Sequence, residues 1–291
     1  MAVEKEKSKE FGLPAGFPVR YQLGRLIARG GTASVYEARL HGYRVALKAV
    51  KLDDWIKKGF KVNEFFEEAR VMTGIQKDFV PTVYETLLEG EYLCMAMELV
   101  DGRTLKEVLK EKEKSGPGSL KEEEVVRLGE RILEMLVTLQ ERPVPVIHGD
   151  LKPSNIMVTS TGRLMLLDFG ASFAHEGGIF GTRGYAAPEV MRGKRNIQSD
   201  LYSVGMMLRE LLLGEGIREE TKYVSVREWR PEISRELDGF LIRCTMEEPG
   251  YRYSSAEEAL AALRKAKNRQ KASRRKASRE LKTLKGTKVH V

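Results

Sequence analysis

The chain has 291 residues, 42% apolar and 32% charged, with a formal net charge of +8. That is enough apolar material for a sizeable core, which excludes wholesale disorder, and no run approaches the roughly 18 apolar residues of a membrane span, so no transmembrane segment is expected. Only Cys94 and Cys244 occur, which excludes a disulfide framework and suits core thiols in a reducing, cytoplasmic setting.

The charge is uneven. Residues 264–291 hold twelve Lys or Arg against the single acid Glu280, or +11, which leaves residues 1–263 near −3. The positive charge therefore belongs to a basic tail, and the folded body need not bind nucleic acid. Residues 1–20 are charged, then Gly- and Pro-rich, without the apolar stretch of a signal peptide, and read as a flexible leader.

From Tyr21 the texture changes. Tyr21 to Ile27 reads as a strand, Ala28 to Ser34 as a Gly-containing loop, and Val35 to Ala38 as the returning strand. Such a hairpin can lay backbone N–H groups over phosphates, and a Gly-Gly turn between strands is equally an ordinary turn. Val45-Ala46-Leu47-Lys48 is another strand, where a terminal lysine is ordinarily a solvated edge residue. A helix follows near Val62 to Ile75, with Phe65, Ala69, Met72 and Ile75 on one face and Glu64 and Glu67 as surface carboxylates. Leu93 to Met97 reads as a buried strand leading to an Asp101-Gly102 turn.

Thr104 to Lys114 is a charged helix broken by Ser115-Gly116-Pro117-Gly118. Ser119, with Glu122 three residues on, reads as the capping box of the next helix. Its Val125, Leu128, Ile132, Leu136 and Leu139 repeat at the helical period, so it is expected to be the central buried helix of this region. Then come His148-Gly149-Asp150-Leu151-Lys152-Pro153-Ser154-Asn155 and, thirteen residues later, Asp168-Phe169-Gly170. Ile156 to Val158 and Leu164 to Leu167 read as a hairpin turning at Ser160-Thr161-Gly162, which would bring Asp150, Asn155 and Asp168 to one end of a small sheet. Two carboxylates and a carboxamide there suit a site that holds Mg²⁺ and positions a hydroxyl beside a phosphate. A last helix starts at Ser254, capped by Glu257, with Ala259, Leu260 and Leu263 apolar.

Taken together and in this order, the motifs resemble a eukaryotic-type serine/threonine protein kinase domain, from about Tyr21 to Lys265. The resemblance implies an α+β, bilobal fold: a small β-rich N-lobe, about 21–97, with one main helix, and a larger, mostly α-helical C-lobe, about 101–265, followed by the basic tail 266–291. It implies ATP with Mg²⁺, or Mn²⁺, bound between the lobes, and transfer of the γ-phosphate to a serine or threonine of a protein substrate. Lys48 falls at the family's phosphate-binding lysine and Glu68 at the helix glutamate that pairs with it. Asp150 would orient the substrate hydroxyl and accept its proton, Lys152 would steady the γ-phosphate, and Asn155 and Asp168 would hold the metal. Ile27, Ala28, Gly30, Gly31, Thr32, Ala33 and Val35 would cover the nucleotide. Ala46 and the gatekeeper Met97 would line the base, with the Glu98 carbonyl and Val100 backbone hydrogen-bonding it.

Two departures matter. Against the pattern G-x-G-x-x-G-x-V, Ala28 and Ala33 replace the first and third glycines. Gly149 stands where most of the family has an arginine that receives an activation-segment phosphate, so activity without that phosphate is expected. Ser172, Thr182 and Tyr185 are the only hydroxyl residues from Asp168 to Glu189. His-Gly-Asp also marks small-molecule kinases resembling aminoglycoside and choline kinases, one rival; a pseudokinase scaffold is another. Gly181 to Glu189, Asp200 to Gly205 and Arg252 favour a protein substrate, because in the family the aspartate braces the catalytic-loop backbone and the arginine pairs with the glutamate. Lys152 and Thr182 point to serine or threonine rather than tyrosine.

For the tail three readings stand. It is a solvated basic helix, or a tether to nucleic acid, ribosome or anionic lipid. Or it is regulatory, since Lys271-Ala272-Ser273-Arg274 recurs as Lys276-Ala277-Ser278-Arg279, which makes Ser273 and Ser278 candidates for self-phosphorylation. Each phosphate would remove about 1.5 to 2 units of charge.

Overall fold

The computed structural model describes residue 17 and residues 20–31, 33–75, 78–114, 120–170, 181–214 and 224–286, and within them the side chains except those at 113, 114, 271 and 273–286. The expected leader, Thr32, the Ser115-to-Ser119 break, Ser172 and the side chains of Ser273 and Ser278 thus lie almost wholly outside the described residues. The chain divides into two compact units, one from 1–103 and 156–175, the other from 104–155 and 176–291.

The first unit is built on an antiparallel sheet of β1 (Tyr21–Arg29), β2 (Ser34–Leu40), β3 (Tyr43–Lys51), β4 (Val83–Glu89) and β5 (Tyr92–Glu98), in the order β1-β2-β3-β5-β4. Val45 to Val50 are all buried, so β3 lies in the interior with both faces covered. Leu47, Cys94 and Ala96 pack with Tyr21, Ala38 and Tyr92 as the core on one face. The first hairpin is tighter than expected: Ala28 and Arg29 belong to β1, opposite Val35 and Ser34, and the connection shrinks to Gly30–Ala33.

A short helix that the sequence reading did not anticipate, α1 (Leu52–Lys57), follows β3. Six residues are too few to display a helical period, but Asp53 and Asp54 at its start and Lys57 at its end complement the helix dipole. Its Trp55 is buried, stacked on Phe60 at 4.3 Å and edge-on to Phe65 at 6.1 Å, and donates its indole N–H to the Lys61 carbonyl at 2.9 Å. That contact seats α2 (Val62–Thr73), which buries Phe65, Glu68, Ala69, Val71 and Met72. α2 stops two residues before the expected Ile75, which is nonetheless buried.

A second sheet joins β6 (Gly102–Thr104), β7 (Ile156–Thr159) and β8 (Leu164–Leu166). The expected 156–167 hairpin is present, with Ile156 opposite Leu166 and Gly162 at φ 78° in the turn. Gly102 opens β6 rather than completing a turn. A Cβ there would lie 2.4 Å from the Val158 carbonyl oxygen, so only glycine allows this close approach.

The second unit is helical: α3 (Leu105–Lys114), α4 (Glu122–Gln140), α5 (Ile197–Leu213), α6 (Arg235–Cys244) and α7 (Ala256–Gly286). Thr104 and Glu107 form the capping box of α3, with Oγ1 accepting from the Glu107 amide at 3.2 Å and the Glu107 carboxylate accepting from the Thr104 amide at 2.8 Å. Ser119 of the expected Ser119–Glu122 box lies outside the described residues. The cap position of α4 is Lys121, whose amide donates to Glu124 at 2.9 Å, and Glu122 accepts the Ser234 amide at 3.1 Å. Burial also corrects the expected centre. α4 exposes one side, whereas α5 is buried from Ser199 to Leu212 on every face. In α7 the cap is Ser255, one residue later than expected, accepting from the Glu258 amide at 3.1 Å. The helix then runs unbroken through residue 265 to Gly286.

Candidate active site

In the first unit, sheet register brings together residues that the sequence led us to expect around a nucleotide. Lys48 on β3 sits opposite Val35 on β2, and Ala46 sits opposite Met97 on β5. Directly paired residues share a face, and Ala46 and Lys48 are two apart, so Ala28, Val35, Ala46, Lys48 and Met97 line one side of the sheet. Ile27 precedes them on β1, and the Gly30 amide donates to the Ala33 carbonyl at 2.8 Å, closing the turn whose Gly31 carbonyl accepts from Lys58. Glu98 and Val100 follow at the end of β5, half-buried; the Glu98 amide donates to the Thr82 carbonyl at 2.8 Å and its carboxylate accepts the Thr82 amide at 3.2 Å.

The edge-residue reading of Lys48 is overturned by this unit. Its side chain is buried, and its ammonium donates to both Glu68 carboxylate oxygens at 2.7 and 2.9 Å and to Asp168 Oδ1 at 2.8 Å. Burial alone would lower the Lys48 pKa, but the Asp168 and Glu68 carboxylates outweigh it and raise it, so the group stays an ammonium. Asp168 has a positive φ of 61°, a strained setting for a residue with a Cβ, and its neighbour Phe169 is fully buried. A Cβ on Gly170 would lie 3.3 Å from Asp168 Oδ1 and 3.7 Å from the Lys48 ammonium, so glycine keeps room beside the ion cluster. Half of the Asp168 side chain remains exposed.

In the second unit Asp150, Lys152, Asn155 and Thr182 form one hydrogen-bonded group. The Thr182 hydroxyl donates to Asp150 Oδ1 at 2.8 Å and accepts from Lys152 Nζ at 2.6 Å, while Lys152 also meets Asp150 Oδ2 at 2.5 Å. Asn155 donates its amide to the Asp150 carbonyl at 2.9 Å, which directs its amide oxygen elsewhere. The group is held from behind by Asp200 on α5, whose oxygens accept the His148 and Gly149 amides at 2.8 and 2.9 Å. Asp200 is buried; desolvation pushes its carboxyl up against the pull of His148 and those two donors. Gly149 has φ 80°, where a Cβ is disfavoured.

The expected Glu189–Arg252 pair is present and bidentate, at 2.7 and 2.8 Å, with both residues buried. Sequence reasoning missed its accessories. Ser199 donates to Glu189 at 2.7 Å, Ser203 donates to the Tyr185 carbonyl at 2.9 Å, and Tyr185 hydrogen-bonds Glu210. The available signal was a polar stripe, Ser199, Ser203 and Glu210, in an otherwise apolar helix. Among the described residues no three His, Cys, Asp or Glu side chains cluster as a metal cage.

A buried ammonium steadied by carboxylates can neutralise phosphate charge, and a hydroxyl held by a carboxylate can be deprotonated; these are the parts of a phosphotransferase. The family model for the protein kinase domain matches residues 21–265, and the chain belongs to that family. It is 32% identical over 278 residues to a probable serine/threonine-protein kinase of Streptomyces coelicolor, covering 82% of this chain and 38% of that one. It is 27% identical to serine/threonine-protein kinase PrkC of Bacillus subtilis, covering 85% and 40%, and 31% identical to PknL of Mycobacterium tuberculosis, covering 81% and 63%. The chain thus spans 38 to 63% of the length of these relatives. The crystal structure of the Mycobacterium tuberculosis PknI kinase domain aligns with a TM-score of 0.69 at 22% identity, covering 87% of this chain and 99% of that one, which shows the α+β kinase fold.

Proposed function

We propose that this chain is an ATP-dependent serine/threonine protein kinase using Mg²⁺, with its kinase domain over 21–265. The observation that carries the reading is Lys48, held at 2.7–2.9 Å by Glu68 and Asp168 in an assembled, buried ion cluster. Lys48 would bind the α and β phosphates, Asp168 and Asn155 would supply oxygens to Mg²⁺, and the face of Ala28, Val35, Ala46 and Met97 would take the base. The metal, when bound, would offset charge on the phosphates. Asp150 would accept a hydrogen bond from the substrate hydroxyl and take its proton, with Lys152 steadying the transferred group. The serine/threonine assignment is supported by Thr182, which bonds Asp150 and Lys152 together, and by the relatives' names. Two buried free thiols suit a reducing, cytoplasmic setting for this domain.

The test is intact-mass analysis of the dephosphorylated protein after incubation with Mg-ATP, alone and with a basic protein acceptor, beside Asp150→Asn. Phosphate added to serine or threonine by the wild type alone is the expected result, with Ser273 and Ser278 the proposed self-modified sites. No added phosphate on either protein, with ATP consumed on a metabolite panel, would overturn it in favour of a small-molecule kinase. No ATP turnover at all would leave a scaffold.

Gly149 removes the arginine that would anchor an activation-segment phosphate, and the catalytic group is already tied together by Thr182 without one. Phosphatase-treated and self-phosphorylated enzyme should therefore differ in initial rate by less than about threefold, against the large gains of phosphate-ordered loops. A rise of an order of magnitude on phosphorylation would refute this.

A further inference from the structure

The tip of the first hairpin is exposed. β1 and β2 stay paired as far as Arg29 and Ser34, and the Gly30 amide closes the turn on the Ala33 carbonyl at 2.8 Å. Ala28 to Gly31 are all exposed, and a Cβ on Gly31 would meet no atom of the described residues within 4 Å. What reaches this open tip is a polar contact: the Gly31 carbonyl accepts from the Lys58 ammonium. Lys58 lies in the connection between α1 and α2, 27 residues further along the chain.

The Lys58 side chain is exposed, but its backbone is fixed. The Phe60 amide donates to the Trp55 carbonyl at 3.2 Å and the Gly59 amide to the Ile56 carbonyl at 2.9 Å, with Gly59 at φ 84°. These two bonds and the left-handed glycine make a Schellman turn, which stops α1 at a defined place. Buried Trp55 secures that turn to the next element through the Lys61 carbonyl. The Lys61 amide then donates to Glu64 at 3.1 Å in the first turn of α2. α2 carries Glu68 to Lys48, and Lys48 lies opposite Val35, which follows the hairpin turn on β2. The contacts close a ring from Gly31 through Lys58, α1, α2, Glu68 and Lys48 back to β2.

A loop that must be ordered when its ligand arrives binds more weakly than one already in place. We propose that Lys58 is a positioning residue for the nucleotide: by holding the Gly31 carbonyl, it keeps the hairpin turn in a fixed relation to the Glu68–Lys48 pair, so that less ordering remains for binding to impose. The inference rests on the kinase reading, in which residues 27–35 cover the nucleotide. It assigns Lys58 a role through the backbone carbonyl rather than through its charge alone. An ammonium that merely attracted phosphates could be exchanged for its neighbour Lys57, whereas one that holds a particular carbonyl could not.

The test compares the full chain with Lys58→Met, with Lys58→Arg, and with Lys57→Met, which removes the same charge one residue away. Calorimetry measures Mg-ADP binding, initial rates give kcat and the KM for ATP, and hydrogen exchange follows residues 28–35 without nucleotide. Lys58→Met should weaken Mg-ADP binding and raise KM by about three- to tenfold, the worth of one such hydrogen bond. Its kcat should stay within about twofold of wild type, and exchange in the turn should quicken. Lys58→Arg keeps a donor and should recover most of the affinity. Lys57→Met should behave as wild type. Unchanged or tighter Mg-ADP binding in Lys58→Met, or an equal loss in Lys57→Met, would overturn the proposal and leave the kinase reading standing. A wild type that binds no Mg-ADP would overturn both.

Discussion

Replacing Lys48 by methionine should reduce phosphoryl transfer by about 10²–10³-fold while leaving a folded protein whose stability is also lower. The two effects have separate causes. Activity falls because the ammonium that would meet the phosphates is gone. Stability falls because Glu68, 1% exposed, loses the ammonium that it holds at 2.7 Å. Breaking a buried pair from one side costs about 3–5 kcal/mol, since the carboxylate left behind must either stay charged in a poor solvent or take up a proton. The double variant Lys48→Met/Glu68→Gln removes that stranded charge. Its denaturation midpoint should move back toward the wild type while its turnover stays low. Recovery of turnover in the double variant, or a Lys48→Met rate within threefold of wild type, would show that the ion cluster is structural and not part of the reaction.

The second large effect is on folding. Arg252→Ala should destabilise the second unit by about 3–5 kcal/mol, read as the urea midpoint. Arg252 is almost fully buried and bonds Glu189 twice. It also donates to the carbonyls of Met246, Gln198 and Glu247 at 2.8, 3.1 and 2.8 Å. Its loss strands one carboxylate and three acceptors together. Lysine cannot reproduce a planar fork with five donors, so Arg252→Lys should recover less than half of the loss. The pH dependence has a definite sign. Desolvation raises the Glu189 carboxyl, but hydrogen bonds from Arg252 and Ser199 outweigh it and hold the pKa below 4.5. A carboxylate depressed on folding adds stability above its unfolded pKa and loses it as pH falls through the folded value. The gap between wild type and Arg252→Ala should therefore be full at neutral pH and close on acidification below 4.5. A gap that stays constant would place the cost in packing rather than in the ion pair.

These expectations rest on pairs that could be named from the chain alone. Lys48 with Glu68, Glu189 with Arg252, and Asp200 with the His148 amide are separated by 20, 63 and 52 residues, yet each is implied by the resemblance of the ordered motifs to the kinase family. The 156–166 hairpin was legible for a local reason, since two apolar runs around Thr161-Gly162 have one economical way to pair. Local pattern is ambiguous where one helix start offers two candidate caps. At the start of α7, Ser254 and Ser255 both precede a glutamate at capping distance, and the helix is capped by the second. α1 escaped notice because its single buried side chain, Trp55, is explained only by Phe60, Phe65 and the Lys61 carbonyl folding around it.

Through its resemblance to the kinase family, the sequence therefore indicates the chemistry: which carboxylates, amides and cations are expected at the candidate site, and in which order. It can do so because several short motifs, each weak alone, occur together in one recognisable order. Tertiary structure decided the environments. It made Lys48 a buried ammonium rather than a solvated edge residue, and made α5 rather than α4 the enclosed helix. Burial and register depend on what packs against an element from elsewhere in the chain, and no local pattern of residues contains that information.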